Sequence, residues 1–383
     1  MTETYADIRN SVRKLCSQFP GKYWQALDEK KAYPTEFVNT LTEAGFLAVT
    51  IPQEYGGAGL PLGAACAVLE EIQRSGCNAG ACHAQMYTMG TLLRHGSDQQ
   101  KQKYLPDIAS GKLRLQAFGV TEPNSGTDTT QITTFAKRDG NDYVVNGQKV
   151  WISRSEHSDL MILLVRTAAR EDCVKPSDGM SVLLVDLRDS IGNGLTIKPI
   201  ETMLNHATTE LFFDNLSVPA ANLIGEEGKG FKYILDGMNA ERILIAAECV
   251  GDAKFFIDKS SAYAKERNVF GRPIGQNQGV QFPIARNYAQ MRGAEALVKE
   301  AAEKFESEQA CGTEANICKL AASEASWEAA NTCIQTHGGY GFAIEYDIER
   351  KFRETRLYQV APISTNLILS YLATQELKMP KSY

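Results

Sequence analysis

No stretch of the 383-residue chain approaches about eighteen apolar residues free of charge, which excludes a membrane-spanning helix. No long basic tract occurs and the net charge is -6, so nothing in the chain offers the phosphate contacts of a nucleic-acid partner. Histidines number only five and are scattered. The nine cysteines (Cys16, Cys66, Cys77, Cys82, Cys173, Cys249, Cys311, Cys318 and Cys333) are odd in number and contain no CxxC pair. That argues against both a disulfide framework and a zinc knuckle. The opening MTETYADIRNSVRKLC is polar and charged, unlike a signal peptide. The expectation is a reduced, soluble, cytoplasmic, enzyme-sized protein without metal. At 43% hydrophobic and 22% charged residues the composition is that of an ordinary globular protein. The length predicts two or three domains.

Hydrophobic period divides the chain into three. Residues 1–113 read as helical: Asp7 to Phe19, Pro34 to Ala44, Ala64 to Gln73, Cys82 to Arg94 and Asp98 to Ile108 carry helical spacing, and the Pro/Gly-rich IPQEYGGAGLP at 51–61 reads as a loop. Residues 114–225 read as a β domain, a barrel or sandwich. Its candidate strands are Leu115 to Val120, Tyr143 to Val145, Leu160 to Val165, Val182 to Val185, Leu195 to Ile200 and Glu210 to Phe213. Asn146-Gly147 and Asp214-Asn215 read as turns, and 166–180 as a surface loop. Residues 226–383 return to helix, with Ile284 to Glu303, Asn316 to Thr336 and Ser364 to Leu377 following the long segment Phe231 to Ala264. Only 267–279 and 337–346 interrupt them clearly. The expected fold is mostly α with a central β domain and a C-terminal four-helix bundle able to stack on another copy.

The segment Phe231 to Ala264 contains no proline and traces one apolar stripe through Phe231, Ile234, Leu235, Met238, Ile245, Cys249 and Phe256. Glu241 falls on that stripe. A carboxylate facing inward is costly unless it is paired, wetted or used. Two readings stand side by side: a structural acid paired with a neighbour such as Arg242, or a group that does chemistry.

The stretches LQAFGVTEPNSGTD, NGQKVWIS, ERNVFGRPIGQNQGVQF and QTHGGYGFAIEYDIERKFRETRLYQ together resemble the acyl-CoA dehydrogenase family, in order and over nearly the whole chain. The resemblance implies an α-β-α subunit, usually in a homotetramer, with noncovalent FAD. It also implies α,β-dehydrogenation of an acyl-CoA to the trans-2-enoyl-CoA, by loss of the α proton and transfer of a β hydride to flavin N5, with electrons leaving through electron-transferring flavoprotein.

The small residues of Thr121 to Asp128 free backbone N–H groups for an electron-rich ligand, although a plain surface turn looks the same. By the resemblance, Phe118, Val120, Thr121, Glu122 and Gly126 lie along the flavin, and Thr127 keeps the phosphate-binding hydroxyl where serine is usual. The resemblance likewise puts Trp151 beside the isoalloxazine and the Ser153 hydroxyl near N5, where hydrogen bonds tune hydride acceptance. Arg267, Phe270, Gln278, Gln335, Gly338 and Gly339 correspond to segments that cross a subunit interface to a neighbour's FAD. An arginine fork suits pyrophosphate and paired glycines permit close approach, while a capping arginine and an interhelical turn are the plainer readings. Asn239, Arg242 and Tyr340 correspond to the substrate side, Arg242 near the CoA moiety. Arg353 reads as structural.

The reaction needs a base for a weakly acidic α proton. Many family members carry it as a glutamate in the last third; here the matching stretch is LYQVAPIST and Pro362 stands at that place. The isovaleryl-CoA and long-chain branches take the base from the other helix, immediately before the arginine matched by Arg242, and Glu241 occupies that position. Glu241 is therefore the expected base, ahead of Glu345, Glu349 and Glu354. His83, Met86, Tyr87 and Met89 line the acyl cavity if the helix from Cys82 packs as in the family, or else are plain core. The family's substrate loop usually bears an arginine where this chain has Asn205 and His206. A flavin-dependent oxidase or monooxygenase, and a catalytically degenerate acyl-CoA- or flavin-binding homologue, are the alternative functions.

Overall fold

A computed structural model describes residues 5–381. Two compact units interleave along the chain: Met1–Lys30, Pro61–Ala79 and Asn239–Tyr383 form one, and Lys31–Leu60 with Gly80–Met238 form the other.

The second unit joins helices α3 (Thr35–Glu43), α5 (Ala84–His95) and α6 (Asp98–Ser110) to an eight-stranded sheet. The start of α6 is fixed locally: Ser97 Oγ accepts from Gln100 N at 3.2 Å while Gln100 Oε1 accepts from Ser97 N at 2.9 Å, a reciprocal capping box. Gly111, at φ 77°, ends it in the left-handed region. The strands are β1 (Leu115–Gly119), β2 (Phe135–Asp139), β3 (Asp142–Ser153), β4 (Leu160–Arg166), β5 (Met180–Asp186), β6 (Leu195–Pro199), β7 (Thr208–Pro219) and β8 (Leu223–Ile224). Their order is β6-β7-β3-β2-β4-β5-β8, with β1 parallel to β4. Tyr143 and Val145 of β3, Leu211 and Phe213 of β7, Leu163 of β4 and Leu183 of β5 share one apolar core, so the two ends of the sheet curl around a common interior.

Two expected turns are corrected. Asn146-Gly147 lies inside β3 and Asp214-Asn215 inside β7, and the two meet at a bulge. Val145 pairs with Leu216 and Gly147 with Phe213, so that two residues of β7 oppose one of β3. Gly147 at φ 144° and Asn215 at φ 52° supply the backbone freedom, and Asn215 N donates to Asn146 Oδ1 at 2.9 Å. The composition that marks a turn serves a bulge equally well. The strand β2 and the helix α2 (Gly21–Lys30) lacked a clear periodic signal and were not expected.

The first unit holds α1 (Ala6–Cys16), α2, α4 (Leu62–Arg74), α9 (Gln278–Glu306), α10 (Gly312–His337), α11 (Ile348–Arg356) and α12 (Thr365–Tyr371). The unbroken helix α8 (Gly230–Glu266) gives its residues through Met238 to the second unit and the remainder to the first. A short α7 (Leu187–Ser190) follows β5. Besides the two expected interruptions, the helices also break at 307–311 and 357–364, and the last one is shorter than expected, with a π turn over Leu372–Glu376.

The apolar stripe of α8 is also corrected. Leu235 is exposed, whereas every residue of 240–253 is buried, so the middle of α8 is enclosed on all sides. Glu241 is not the lone inward acid: Glu248 and Asp252 follow seven and eleven residues on, which at about 3.6 residues per turn puts all three on one face. Glu248 accepts from Tyr358 Oη at 2.7 Å and Gln73 Nε2 at 3.4 Å, and Asp252 pairs with Lys351 Nζ at 2.6 Å. Among the described residues no helix is long and apolar enough to cross a membrane, and no group of three His, Cys, Asp or Glu residues is placed to hold a metal ion.

Candidate active site

In the second unit, the turn after β1 is built on a buried ion pair. Lys149 Nζ, from β3, donates to Glu122 Oε1 at 2.8 Å and to the Val120 carbonyl at 2.9 Å. Glu122 also accepts from Thr133 N at 2.6 Å and Thr134 N at 3.0 Å. Burial alone would raise the Glu122 carboxyl, but Lys149 and these hydrogen bonds hold it below its ordinary value. Burial pushes Lys149 down to about 8, against the pull of Glu122. Glu122 thus turns its carboxylate inward and shapes the loop.

An acid-limb prediction follows from that pair. The unfolded carboxyl titrates near 4.5 and the folded one lower, so in between the unfolded state binds more protons. Stability contributed by Glu122 is complete above that value and is lost as pH falls through the folded pKa. Thermal unfolding of Glu122→Gln is expected to be weaker at neutral pH and flatter below about pH 4.5 than that of the parent chain.

Phe118, Val120 and Thr121 are half-buried around this turn, and the Thr121 carbonyl accepts from Val150 N at 2.9 Å. Gly126 and Thr127 are exposed at its tip, and a Cβ added at Gly126 would meet open space. Trp151 is not core: it is 59% exposed, with φ 62°, where the β3–β7 register slips between Lys149 and Ile152. A left-handed tryptophan facing outward is strained and apolar at once, the pattern of a surface made for a ligand. Ser153, half-buried, ends the strand opposite Thr208.

Arg154 follows Ser153 and gave no signal in the sequence. Its side chain is buried, its φ is also 62°, and its guanidinium meets His83 Nε2 at 3.3 Å and His206 Nε2 at 3.5 Å. His83, Met86, Tyr87 and Met89 are all buried on α5 or at its start.

In the first unit, Glu241 is 6% exposed and Arg242 8%. Arg242 Nη1 donates to Asn239 Oδ1 at 3.0 Å, so the expected substrate-side pair is in contact. Burial lowers the Arg242 pKa, with the Glu241 carboxylate opposing. Lys319 Nζ donates to the carbonyls of Tyr358 at 2.6 Å and Ile363 at 2.7 Å, pinning both ends of the segment that contains Pro362. Burial pushes Lys319 down to about 8. Arg353 pairs with Asp28 at 2.7 Å and Glu349 at 2.9 Å, a structural arginine. Glu354 is buried against Arg350 at 2.7 Å.

The remaining expected residues are solvent-facing. Arg267 closes the link to a hairpin of β9 (Asn268–Val269) and β10 (Arg272–Pro273), whose tip is Phe270 and Gly271, at φ 54° and 78°. Phe270 is 100% exposed. The Arg267 guanidinium lies 5.8 Å from the Tyr340 ring centroid, bringing the hairpin to the GGYG turn. Gln278, Gln335, Gly338 and Gly339 are exposed, and Cβ atoms added at either glycine would meet nothing within 4 Å. Each surface suits a part of FAD by itself: in the second unit the outward Trp151 indole and the open turn at Gly126 suit the planar ring, and in the first unit the exposed Arg267 and the open Gly338 and Gly339 suit a pyrophosphate tail.

Comparison with known proteins agrees. The N-terminal, middle and C-terminal acyl-CoA dehydrogenase domain families match residues 2–112, 117–216 and 228–362. An acyl-CoA dehydrogenase of Bacillus subtilis is 33% identical over 365 residues, covering 94% of each chain. An NADH-dependent acryloyl-CoA reductase of Anaerotignum propionicum is 33% identical, covering 91% of this chain and 89% of its own. The structure of a glutaryl-coenzyme A dehydrogenase in complex with glutaryl-CoA superposes with TM-score 0.92 at 30% identity, covering 100% of this chain and 97% of its own. The chain belongs to the acyl-CoA dehydrogenase family of FAD-dependent oxidoreductases.

Proposed function

We propose that the protein dehydrogenates an acyl-CoA thioester between its α and β carbons, giving the trans-2-enoyl-CoA, with Glu241 as the base. The observation that carries this reading is the buried Glu241 beside Arg242 on α8, together with Pro362 in place of the family's other glutamate. Glu241 takes the α proton, and low exposure favours the neutral carboxyl that results. Asn239, Arg242 and Tyr340 hold the CoA side. Trp151 and Ser153 hold and orient the flavin edge, and Phe118, Val120, Thr121, Gly126 and Thr127 its ring and phosphate surroundings. The bound flavin supplies the hydride acceptor. Anaerobic absorbance during titration with short, branched, long and ring-bearing acyl-CoAs tests the reading. Bleaching of the oxidised band by one class supports it, and a yellow protein that no thioester bleaches overturns it.

The same reading makes the protein a homotetramer with electron-transferring flavoprotein as acceptor, and keeps the domain limits at 113/114 and 225/226. Arg267, Phe270, Gln278, Gln335, Gly338 and Gly339 then serve a neighbouring subunit's FAD. The full exposure of Phe270, at a backbone angle unfavourable for its type, supports that role. Burying a phenylalanine contributes about 2 kcal/mol, roughly 30-fold in an equilibrium. Phe270→Ser should therefore weaken FAD retention and subunit association about 30-fold in sedimentation and flavin-release assays. Its effect on unfolding of the isolated chain should be small.

A further inference from the structure

Arg154 is 3% exposed in the second unit. Its Nη1 donates to the Gly80 carbonyl and lies 3.5 Å from His206 Nε2; its Nη2 lies 3.3 Å from His83 Nε2. A guanidinium only donates. Both Nε2 atoms therefore accept, which places a ring proton on each Nδ1. Burial first, then the positive charge of Arg154, holds His206 far below the ordinary imidazole range. The Arg154 Nε is also buried and has no hydrogen-bond partner among the described residues. Among the described residues the hydrogen-bonding partners of this cation are thus one carbonyl and two imidazole nitrogens, with no carboxylate. A buried charge so placed calls for a counter-ion.

The position of the cluster says where that counter-ion would come from. Arg154 is the next residue after Ser153, and its N–H donates to the Ala207 carbonyl at 2.7 Å, tying strand end and His206 loop together. The His83 ring lies 5.8 Å from that of Tyr87, which meets Phe118 edge-on at 6.0 Å. The cluster is thus joined to Ser153, assigned to the flavin edge, through the chain, and to Phe118, assigned to the flavin ring, through Tyr87.

We propose that Arg154, His83 and His206 form a specificity site for a carboxylate at the far end of the acyl group, so that the preferred substrate is a short dicarboxylic acid carried as its mono-CoA thioester. This rests on the dehydrogenase reading above. A charge-assisted hydrogen bond of this kind is worth about tenfold to a hundredfold in binding. Isothermal calorimetry with the flavin-loaded protein, using the Glu241→Gln variant so that no turnover occurs, compares glutaryl-CoA and adipyl-CoA with pentanoyl-CoA and hexanoyl-CoA. The carboxylated thioesters should bind at least tenfold tighter. Arg154→Gln should erase that preference while leaving the neutral thioesters within about threefold, and His83→Gln, which keeps an acceptor, should reduce it less. Equal or tighter binding of the neutral chains, or a preference that survives in Arg154→Gln, overturns the proposal. Should Arg154→Gln fail to fold, the wild-type comparison and His83→Gln decide. Bleaching of the parent protein by neutral thioesters alone would defeat the specificity site and leave dehydrogenation standing; carboxylate-selective binding without bleaching by any thioester would do the reverse.

Discussion

Glu241→Gln should retain its FAD and lose at least about a thousandfold in the rate of flavin bleaching by the best acyl-CoA, because a positioned base contributes on the order of a hundredfold to ten-thousandfold and no other carboxylate takes its place. The substitution preserves shape and hydrogen-bonding capacity, so thermal stability and flavin absorbance separate lost chemistry from lost structure. Nearby acids offer little substitute. Glu248 is committed to Tyr358 at 2.7 Å, Asp252 to Lys351 at 2.6 Å, Glu354 to Arg350 at 2.7 Å and Glu349 to Arg353 at 2.9 Å. Full bleaching by the glutamine variant, at the parent rate, would make Glu241 a structural acid like these.

The broad architecture was legible because long periodic segments and apolar runs report burial directly. The helices around Val12, Phe37, Leu69 and Ile108 and the strands around Ile162 and Leu183 lie where their spacing puts them. Failures came where one residue type serves two geometries. Asn-Gly and Asp-Asn permit left-handed backbone, and a bulge between β3 and β7 used it as readily as a hairpin would. The stripe through α8 marks Glu241 as an inward acid but not Glu248 and Asp252 on the same face, whose partners Tyr358 and Lys351 are distant in sequence. Arg154 was invisible for the same cause. Its meaning comes from His83 and His206, 71 and 52 residues away, and no local pattern announces a cluster assembled from a helix start, a strand end and a loop.

The second large effect concerns Lys351→Met. Lys351 is fully buried on α11, 2.6 Å from Asp252 and 3.3 Å from Glu354 Oε2, and it donates to the Cys77 carbonyl at 3.2 Å. Methionine fills the space but leaves Asp252, itself fully buried, without its cation. Removing one partner of such a pair costs about 3–5 kcal/mol, a large share of the roughly 5–15 kcal/mol that holds a folded domain. A fall of about 10 °C in the unfolding temperature is expected by calorimetry. Asp252 is already pushed up to about 6 by burial, with Lys351 pulling the other way, so losing Lys351 raises it further. The folded state then binds more protons than the unfolded state between the ordinary carboxyl value and this raised one. The variant should therefore regain stability as pH falls from 7 toward 5, narrowing its gap to the parent chain. Lys351→Met combined with Asp252→Asn should recover part of the loss at pH 7, because no buried carboxylate is then left uncompensated. A gap that is independent of pH would mean that packing, not charge, is what Lys351 supplies. Asp252 and Glu241 share a face of α8, so the same measurements, paired with flavin bleaching, report whether securing that helix at one end holds the base in place at the other.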